Sequence, residues 1–378
     1  YCWPPSGSLE SFLHLRDLLH RSGNYFGVYC SGTSFTVKSL MNDYSCEAEF
    51  KEKCLAQYMA SGPRGETKDT LPGVREGAHL CITEQFGKDI ILDQFRQMAE
   101  AGLDYIQFFD QNYGGMNYPC YAQDHHHPAL PGAWLTESMQ QLLKTMTAIG
   151  VNNNPELRIG AESSAPLPYL AHLPFSDARS LHNLRYGRPV PGYDFVFHRY
   201  SNNFMGNQCA MWDLIDCNRS PDNLLWRIAE GFCAGQLLSV TLRADGSISW
   251  GAADNWSCPG PDSNHVKTLI RNLNGLRKKY PEFLAYGDMQ KSDLQIETGE
   301  YLLVMRDRAK VMRHPALTVS TWRAGDGRKC QFIVNFRAAP ETAKITSAVP
   351  FHTGDGVEYS AGTHGFTIPE LSALVILI

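Results

Sequence analysis

The 378-residue sequence lacks several patterns that define common protein classes. Its eleven cysteines include no C-x-x-C pair, which argues against a zinc ribbon or a small disulfide-stabilised scaffold. No apolar run reaches the roughly 18 to 20 residues that a membrane-spanning helix needs. A G-x-S-x-G nucleophile elbow is absent, and Cys30-Ser31-Gly32-Thr33 after the first apolar strand is no glycine-rich phosphate loop. Serine hydrolases of that class and dinucleotide-binding folds are therefore disfavoured.

Strong charge of either sign is also lacking. The net charge is -5, the pI is about 6.2, and basic residues are scattered, so neither nucleic acid nor an anionic membrane is expected as a partner. The chain begins at Tyr1 without a signal-peptide pattern, so we expect a processed chain or a fragment. A further N-terminal domain ahead of Tyr1 is compatible with this, and the compartment stays open between cytoplasmic and secreted. No cofactor is expected.

Helical and strand patterns alternate over about the first 280 residues, which predicts parallel strands joined by crossover helices. Without a phosphate loop, this favours a (β/α)8 TIM barrel over a doubly wound sheet. Six strands are recognisable; we expect the first barrel strand to precede Tyr1 and another to lie between Ala165 and Gly192. The predicted helices are Ser8–Arg21, Ser45–Met59, Lys88–Ala101, Leu135–Ile149, Asn223–Gly235 and Asp262–Tyr280, and the predicted strands are Tyr25–Cys30, His79–Thr83, Leu103–Phe109, Leu157–Ala161, Tyr193–Tyr200 and Leu237–Leu242.

The pattern changes after Tyr280-Pro281. Short alternating apolar runs, separated by Gly, Pro and Asp turns, predict a C-terminal antiparallel β-sandwich. The sequence therefore predicts a catalytic barrel over residues 1–284 and a sandwich over residues 285–378.

Two carboxylates directly follow predicted barrel strands: Asp110 follows Phe109, and Glu162 follows Ala161. The carboxyl ends of parallel barrel strands open onto one face, so both side chains are expected in one pocket. A facing pair of carboxyl groups is what glycosidic-bond cleavage requires. The structural alternatives are that Asp110 caps its own loop and that Glu162 pairs with Arg158 or Arg199.

Polar and aromatic residues near the predicted strand ends are candidates for substrate binding, because sugars present hydroxyl groups and apolar ring faces. Asp124-His125-His126-His127 also suggests a metal site, but consecutive side chains diverge, so at most two of these histidines could share an ion. We therefore expect no metal ligands, and we keep a histidine-dependent metallohydrolase as a minor alternative. The candidates are Gln111, Asn112, Tyr113, His126, Trp134, His198, Arg199, Asp245 and Trp250.

In these features the chain resembles TIM-barrel glycoside hydrolases of the α-amylase, α-galactosidase and endo-α-N-acetylgalactosaminidase groups. Asp110 and Glu162 match the nucleophile and acid/base order, and the segment 365–376 is similar to a closing sandwich strand. The helix Val266 to Tyr280, which runs into Pro281-Glu282-Phe283-Leu284, resembles the last barrel helix. The resemblance implies a retaining enzyme for α-linked oligo- or polysaccharides, with Asp110 as nucleophile and Glu162 as acid/base.

The sequence also departs from the amylase pattern. Asp-x-x-x-Asn-His is missing near His79–Thr83, and the His-Asp pair is missing after Leu242, so a third acidic residue is not identified. The main alternative is a non-catalytic carbohydrate-binding barrel.

Overall fold

The computed structural model describes residues 8–109, 112–178, 190–205, 220, 222–242, 245, 247–249, 262–305 and 311–378. The chain divides into two compact units, Tyr1–Ser176 and Asp177–Ile378. This division falls well before the predicted boundary after Leu284, which stays a prediction. None of the described helices is long and apolar enough to span a membrane.

Unit 1 combines helices with one parallel and one antiparallel sheet. Its helices are α1 (Leu9–Arg21), α2 (Glu47–Glu52), α3 (Gln85–Glu100) and α4 (Ala133–Asn153), with 3-10 helices at Leu55–Tyr58, Tyr113–Gly115 and Leu167–Tyr169. Its strands are β1 (Gly27–Tyr29), β2 (Ser34–Ser39), β3 (Lys68–Leu71), β4 (Arg75–His79), β5 (Tyr105–Phe109) and β6 (Arg158–Ala161).

The parallel sheet has the strand order β1-β5-β6, in agreement with three of the predicted strands. Residues 106–109 of β5 are all buried, as expected for a strand covered on both faces. Helix α3 buries Ile91, Phe95 and Met98 at helical spacing in the core of unit 1, which also holds residues of β5, α4 and β6. The apolar periodicity of the sequence therefore correctly predicted this part of the fold.

The segment between β1 and α3 differs from the prediction. An antiparallel sheet of order β2-β4-β3 occupies part of the predicted loop 61–77, and β4 ends at His79, where a strand to Thr83 was predicted. Arg75, Gly77 and His79 lie buried on one face of β4, and Ala78 is the one residue of the strand in the apolar core, so the strand escaped an apolar criterion. The predicted helix Ser45–Met59 is also interrupted, because Cys54 adopts a left-handed conformation with φ of 52°.

Unit 2 contains four helices and thirteen strands among its described residues. The helices are α5 (Gly192–Phe197), α6 (Asp222–Cys233), α7 (Ser263–Lys279) and α8 (Pro281–Leu284). The strands are β7 (Thr241–Leu242), β8 (Ile248–Ser249), β9 (Asp288–Gln290), β10 (Gln295–Thr298), β11 (Glu300–Val304), β12 (Val311–Pro315), β13 (Thr318–Arg323), β14 (Lys329–Asn335), β15 (Glu341–Ser347), β16 (Phe351–Thr353), β17 (Glu358–Tyr359), β18 (Gly362–Ile368) and β19 (Ser372–Leu377).

Two predicted strands of unit 2 are wrong. Tyr193–Tyr200 contains most of helix α5, in which Asp194 is buried while Phe195 and Val196 are exposed; the C-cap residue His198 is buried one turn after Asp194. Leu237–Leu242 contains only the short strand β7, which pairs antiparallel with β8. Parallel bridges instead join Phe204 to Asp177 and to Leu237, and the bridge at Asp177 falls in the segment where a hidden strand was expected.

The C-terminal strands form antiparallel sheets, as predicted. One has the order β17-β16-β19-β14-β13-β9 and another the order β10-β15-β18. Ile333 and Ile376 of the first sheet share a buried cluster with Ile345 and Ile368 of the second. Two antiparallel sheets with a common apolar core fit a β-sandwich.

Candidate functional site

Glu162 lies at the carboxyl end of the parallel sheet, where β5 and β6 end beside each other. Its backbone N–H donates to the carbonyl of Phe109 over 2.8 Å, and the residue is only 6% exposed. Asp110 and Gln111, the next two residues after Phe109, lie outside the described residues. The adjacency of the two strand ends rests on the parallel pairing of β5 with β6.

A glycine-containing turn covers the end of β6. The N–H of Gly114 donates to the carbonyl of Glu162 over 2.6 Å, and Gly114 has a φ of +61°. A Cβ atom at Gly114 would lie 2.8 Å from both the backbone oxygen of Ser164 and Cδ of Pro166. Ser163 also adopts a left-handed conformation, with φ of 67°, and such non-glycine conformations are concentrated at functional sites.

Asn112 organises the loop after β5. Its Oδ1 accepts from the N–H and the hydroxyl of Thr33, at 3.1 and 3.2 Å, and its Nδ2 lies 2.9 Å from the carbonyl of Met116. The side chain is buried, so these contacts tie the turn after β1 to the loop beside Glu162. A direct sugar contact by Asn112 stays a prediction, and the side chain of Tyr113 lies outside the described residues.

A polar group not foreseen from the sequence lies along β2, β3 and β4. Asp69 is 2.8 Å from Nη2 of Arg75 and 3.2 Å from Nε2 of His79, and the His79 ring stacks on Tyr118 with centroids 3.5 Å apart. Burial lowers the pKa of His79 to about 4, against the opposing effect of Asp69. Ser34, the residue after Thr33, pairs with His79 between β2 and β4. This polar group therefore begins directly after Thr33, the residue that bonds to Asn112. In the sequence, the alternation Arg75-x-Gly77-x-His79 is the signal that could have indicated this polar group.

His126 and Trp134 already have partners within unit 1. The Nδ1 of His126 lies 3.1 Å from both carboxylate oxygens of Glu84, although 81% of the histidine side chain is exposed. Trp134 stacks on His127 at 4.0 Å and donates to the carbonyl of Leu130. Their predicted contacts with substrate stay predictions.

Four side chains that could hold a metal ion meet in unit 1. One ligand atom from each of Cys81, Cys120, His125 and His127 lies within 4.8 Å of the other three. His125 and His127 share this cluster while His126 bonds to Glu84, in accord with the expectation that at most two of the three could share an ion.

The predicted site residues of unit 2 lie in varied environments. His198 is buried, with Nε2 3.1 Å from the carbonyl of Leu284 and its ring against Trp322. Arg199 forms a partly exposed ion pair with Asp288, and Asp245 lies in an exposed turn, where it accepts from the N–H of Ser247. Trp250 lies outside the described residues. The strand end that was expected to present His198 and Arg199 is instead the end of helix α5.

A cavity of about 520 Å³ in unit 1 lies apart from Glu162 and Asn112. Its lining comes from α1, β1, β2 and α3, and includes Phe12, Phe26, Ile91 and Met98. The lining also includes polar residues such as Ser31, Ser34 and Gln94, but among the described residues it has no Asp, Glu or His. The candidate acid and base therefore lie at the strand ends rather than in this cavity.

Comparison with known proteins places the chain by its fold. No protein-family model matches the sequence, and no curated protein sequence matches it. A maltogenic α-amylase from Thermotoga neapolitana is similar with a TM-score of 0.54 and 12% identity, over 98% of this chain and 81% of that one. A debranching enzyme from Nostoc punctiforme is similar with a TM-score of 0.55 and 12% identity, over 99% of this chain and 80% of that one. An Anoxybacillus α-amylase is similar with a TM-score of 0.52 and 11% identity, over 98% of this chain and 79% of that one. At these identities the similarity shows the fold alone, which the chain shares with these TIM-barrel enzymes.

Proposed function

We propose that the protein is a glycoside hydrolase that cleaves α-linked sugars with retention of anomeric configuration. Asp110 is the nucleophile and Glu162 is the general acid/base. The observation that carries the proposal is the buried Glu162 at the end of β6, with its N–H bonded to Phe109 at the end of β5. Asp110 follows Phe109 in the sequence, and Phe109 ends the strand that pairs with β6.

The chemistry follows from these two positions. Asp110 attacks the anomeric carbon, while Glu162 protonates the departing glycosidic oxygen. Glu162 then takes a proton from water, which attacks the glycosyl-enzyme and releases Asp110. The similarity in fold to amylases and a debranching enzyme supports an α-linked substrate.

The test begins with a screen of aryl α- and β-glycosides and continues with Glu162→Gln and Asp110→Asn. For a substrate with a poor leaving group, Glu162→Gln is expected to lower kcat by about 10² to 10⁴-fold, because it removes general acid catalysis. A dinitrophenyl glycoside needs little protonation, so its cleavage should suffer less. Glu156→Gln is the matched control, because Glu156 is exposed and pairs only loosely with Arg158 before the same strand.

Azide distinguishes the proposed roles of the two carboxylates. With Glu162→Ala, azide should attack the glycosyl-enzyme and give a glycosyl azide of retained configuration. With Asp110→Ala, azide should attack the substrate directly and give the inverted product. Wild-type rates in folded Asp110→Asn and Glu162→Gln would contradict the proposal, and oligosaccharide binding without turnover by the wild type would favour the carbohydrate-binding alternative.

A further inference from the structure

A second cluster of chemically active side chains in unit 1 has no part in the proposed glycosidase chemistry. Cys81 directly follows the β4–Leu80 segment, whereas Cys120, His125 and His127 lie on the loop that leads to α4. Both cysteines are buried free thiols, and both histidines are half-buried. One ligand atom from each of the four lies within 4.8 Å of the other three.

His125 is oriented with one nitrogen toward the cluster. Its Nε2 lies 2.8 Å from the carbonyl of Gln57, and because a carbonyl only accepts, Nε2 carries the proton. Its Nδ1 therefore presents a lone pair, 3.4 Å from Sγ of Cys120. Metal-binding histidines commonly have their second nitrogen fixed in this way by a backbone carbonyl.

His127 has the same arrangement with the nitrogens exchanged. Its Nδ1 lies 2.7 Å from the carbonyl of Pro128, so Nδ1 donates and Nε2 holds the lone pair. That Nε2 atom is buried and has no hydrogen-bond partner among the described residues. A buried polar atom without a partner is unfavourable, and a cation would satisfy it. The stack on Trp134 fixes the plane of the ring.

The two sulfur atoms lie among hydrogen-bond donors that suit thiolates. The backbone N–H of Ser61 donates to Sγ of Cys120 over 3.3 Å, and Sγ of Cys81 lies 3.1 Å from the hydroxyl of Thr83. The donors to Cys120 and Cys81 come from separate segments, so the protein holds each sulfur in place independently.

We propose that Cys81, Cys120, His125 and His127 bind one zinc ion in a tetrahedral structural site. Two thiolates and two imidazoles are a donor set that zinc prefers, and four protein ligands leave no position open for water or substrate. The ion joins the chain after β4 to the loop that also contains Asn112 and Tyr118, and so holds that loop against the antiparallel sheet. This proposal does not depend on the proposed glycosidase activity.

The chain offers controls of the same residue types. His126 lies between the two histidine ligands in sequence, but its ring is bonded to Glu84 instead. Cys54 is an exposed free cysteine. His126→Gln and Cys54→Ser therefore change a histidine and a cysteine of unit 1 without removing a ligand.

The test is the zinc content of the full chain after incubation with zinc, removal of weakly bound metal on a chelating resin, and elemental analysis. We expect about one zinc per chain in the wild type, His126→Gln and Cys54→Ser. Cys120→Ser and His127→Gln should lower zinc affinity at least about 100-fold in competition with a chromophoric chelator, because loss of even an outer partner costs about 10 to 100-fold. Absence of zinc from the wild type, or equal loss in the control variants, would overturn the proposal.

Two measurements on the wild type keep the test decisive if a ligand variant fails to fold. Cobalt added to the metal-free chain should give the visible bands of a tetrahedral ion and a thiolate-to-cobalt charge-transfer band. Zinc should also protect Cys81 and Cys120, but not Cys54, from alkylation. A Cys81–Cys120 disulfide in the freshly purified chain, or a cobalt spectrum without thiolate bands, would contradict the site.

Discussion

At the scale of single residues, Asp194 and His198 in unit 2 respond to burial in opposite ways. Burial raises the pKa of Asp194 from 3.8 to about 6, although Gln236 and Arg227 favour the charged form. Burial, together with Arg277, lowers the pKa of His198 from 6.5 to about 4. Folding therefore favours the neutral form of both side chains.

These two shifts predict opposing effects of pH on stability. Between about pH 4 and 6 the folded chain holds more protons on Asp194 than the unfolded chain, so this residue makes stability fall as pH rises. The unfolded chain holds more protons on His198 between about pH 4 and 6.5, so this residue makes stability rise with pH. In the wild type the two contributions largely offset each other.

In the Asp194→Asn variant, the pH dependence of stability should therefore be the one that His198 causes. We expect the unfolding free energy of this variant to rise by about 2 kcal/mol, relative to wild type, between pH 4.5 and 6.5. His198→Gln should show the opposite trend over the same range. Urea unfolding at both pH values measures this, and a variant-minus-wild-type difference that does not change with pH would refute it.

Residue type and position in the sequence predicted only part of the candidate site. Glu162 could be placed because a short apolar strand precedes it directly. The cluster of Cys81, Cys120, His125 and His127 could not, because Cys81 lies far from the other three in the sequence and no C-x-x-C pair marks the two cysteines. His198 was predicted to lie at the end of a strand. In the sequence, a helix with a buried polar face has the same pattern as an apolar strand with exposed polar residues.

At the scale of elements, the turn at Gly114 determines how the chain passes over the end of β6. Gly114→Ala combines a left-handed backbone with a Cβ atom 2.8 Å from the fixed oxygen of Ser164. We expect a loss of at least about 2 to 3 kcal/mol in unfolding free energy, from backbone strain plus overpacking. Chemical denaturation measures the loss.

Gly23→Ala is the matched control for this prediction. Gly23 has a similar φ of +72°, but a Cβ atom there would meet nothing within 4 Å. Only the backbone cost of about 1 kcal/mol is expected. Equal losses in the two variants would show that the contact with Ser164 is unimportant.

The elements that sequence patterns predicted well are those with an apolar buried face. Helix α3 shows helical spacing of Ile91, Phe95 and Met98, and β5 is a short apolar run, so both were found close to their true bounds. Strand β4 and helix α5 were missed or misassigned because their large buried side chains are polar: Arg75 and His79 in β4, and Asp194 with the C-cap residue His198 at α5. Apolar periodicity cannot identify an element whose inner face makes hydrogen bonds.

At the scale of the whole molecule, each compact unit has its own apolar core. One buried cluster is formed by residues of the sequence range Phe35–Leu173, which belongs to unit 1. The other two are formed by residues of the range Met205–Ile376, which belongs to unit 2. Separate cores mean that the loss of an interaction in one unit need not open the other. The proposed zinc ion belongs entirely to unit 1.

Zinc removal should therefore have a local effect that hydrogen exchange can map. Zinc at about 1,000 times its Kd stabilises the binding-competent state by about 4 kcal/mol, so chelation should speed exchange at least about tenfold in peptides that contain Ser61, Thr83 and Cys120. Peptides of the sandwich core, around Ile333, Ile345 and Ile376, should exchange unchanged. His126→Gln should respond to chelation as the wild type does, whereas His127→Gln should exchange rapidly with or without zinc. A uniform increase over both units would instead mean that the metal stabilises the whole chain, and no increase near Cys120 would mean that the ion does not hold this loop.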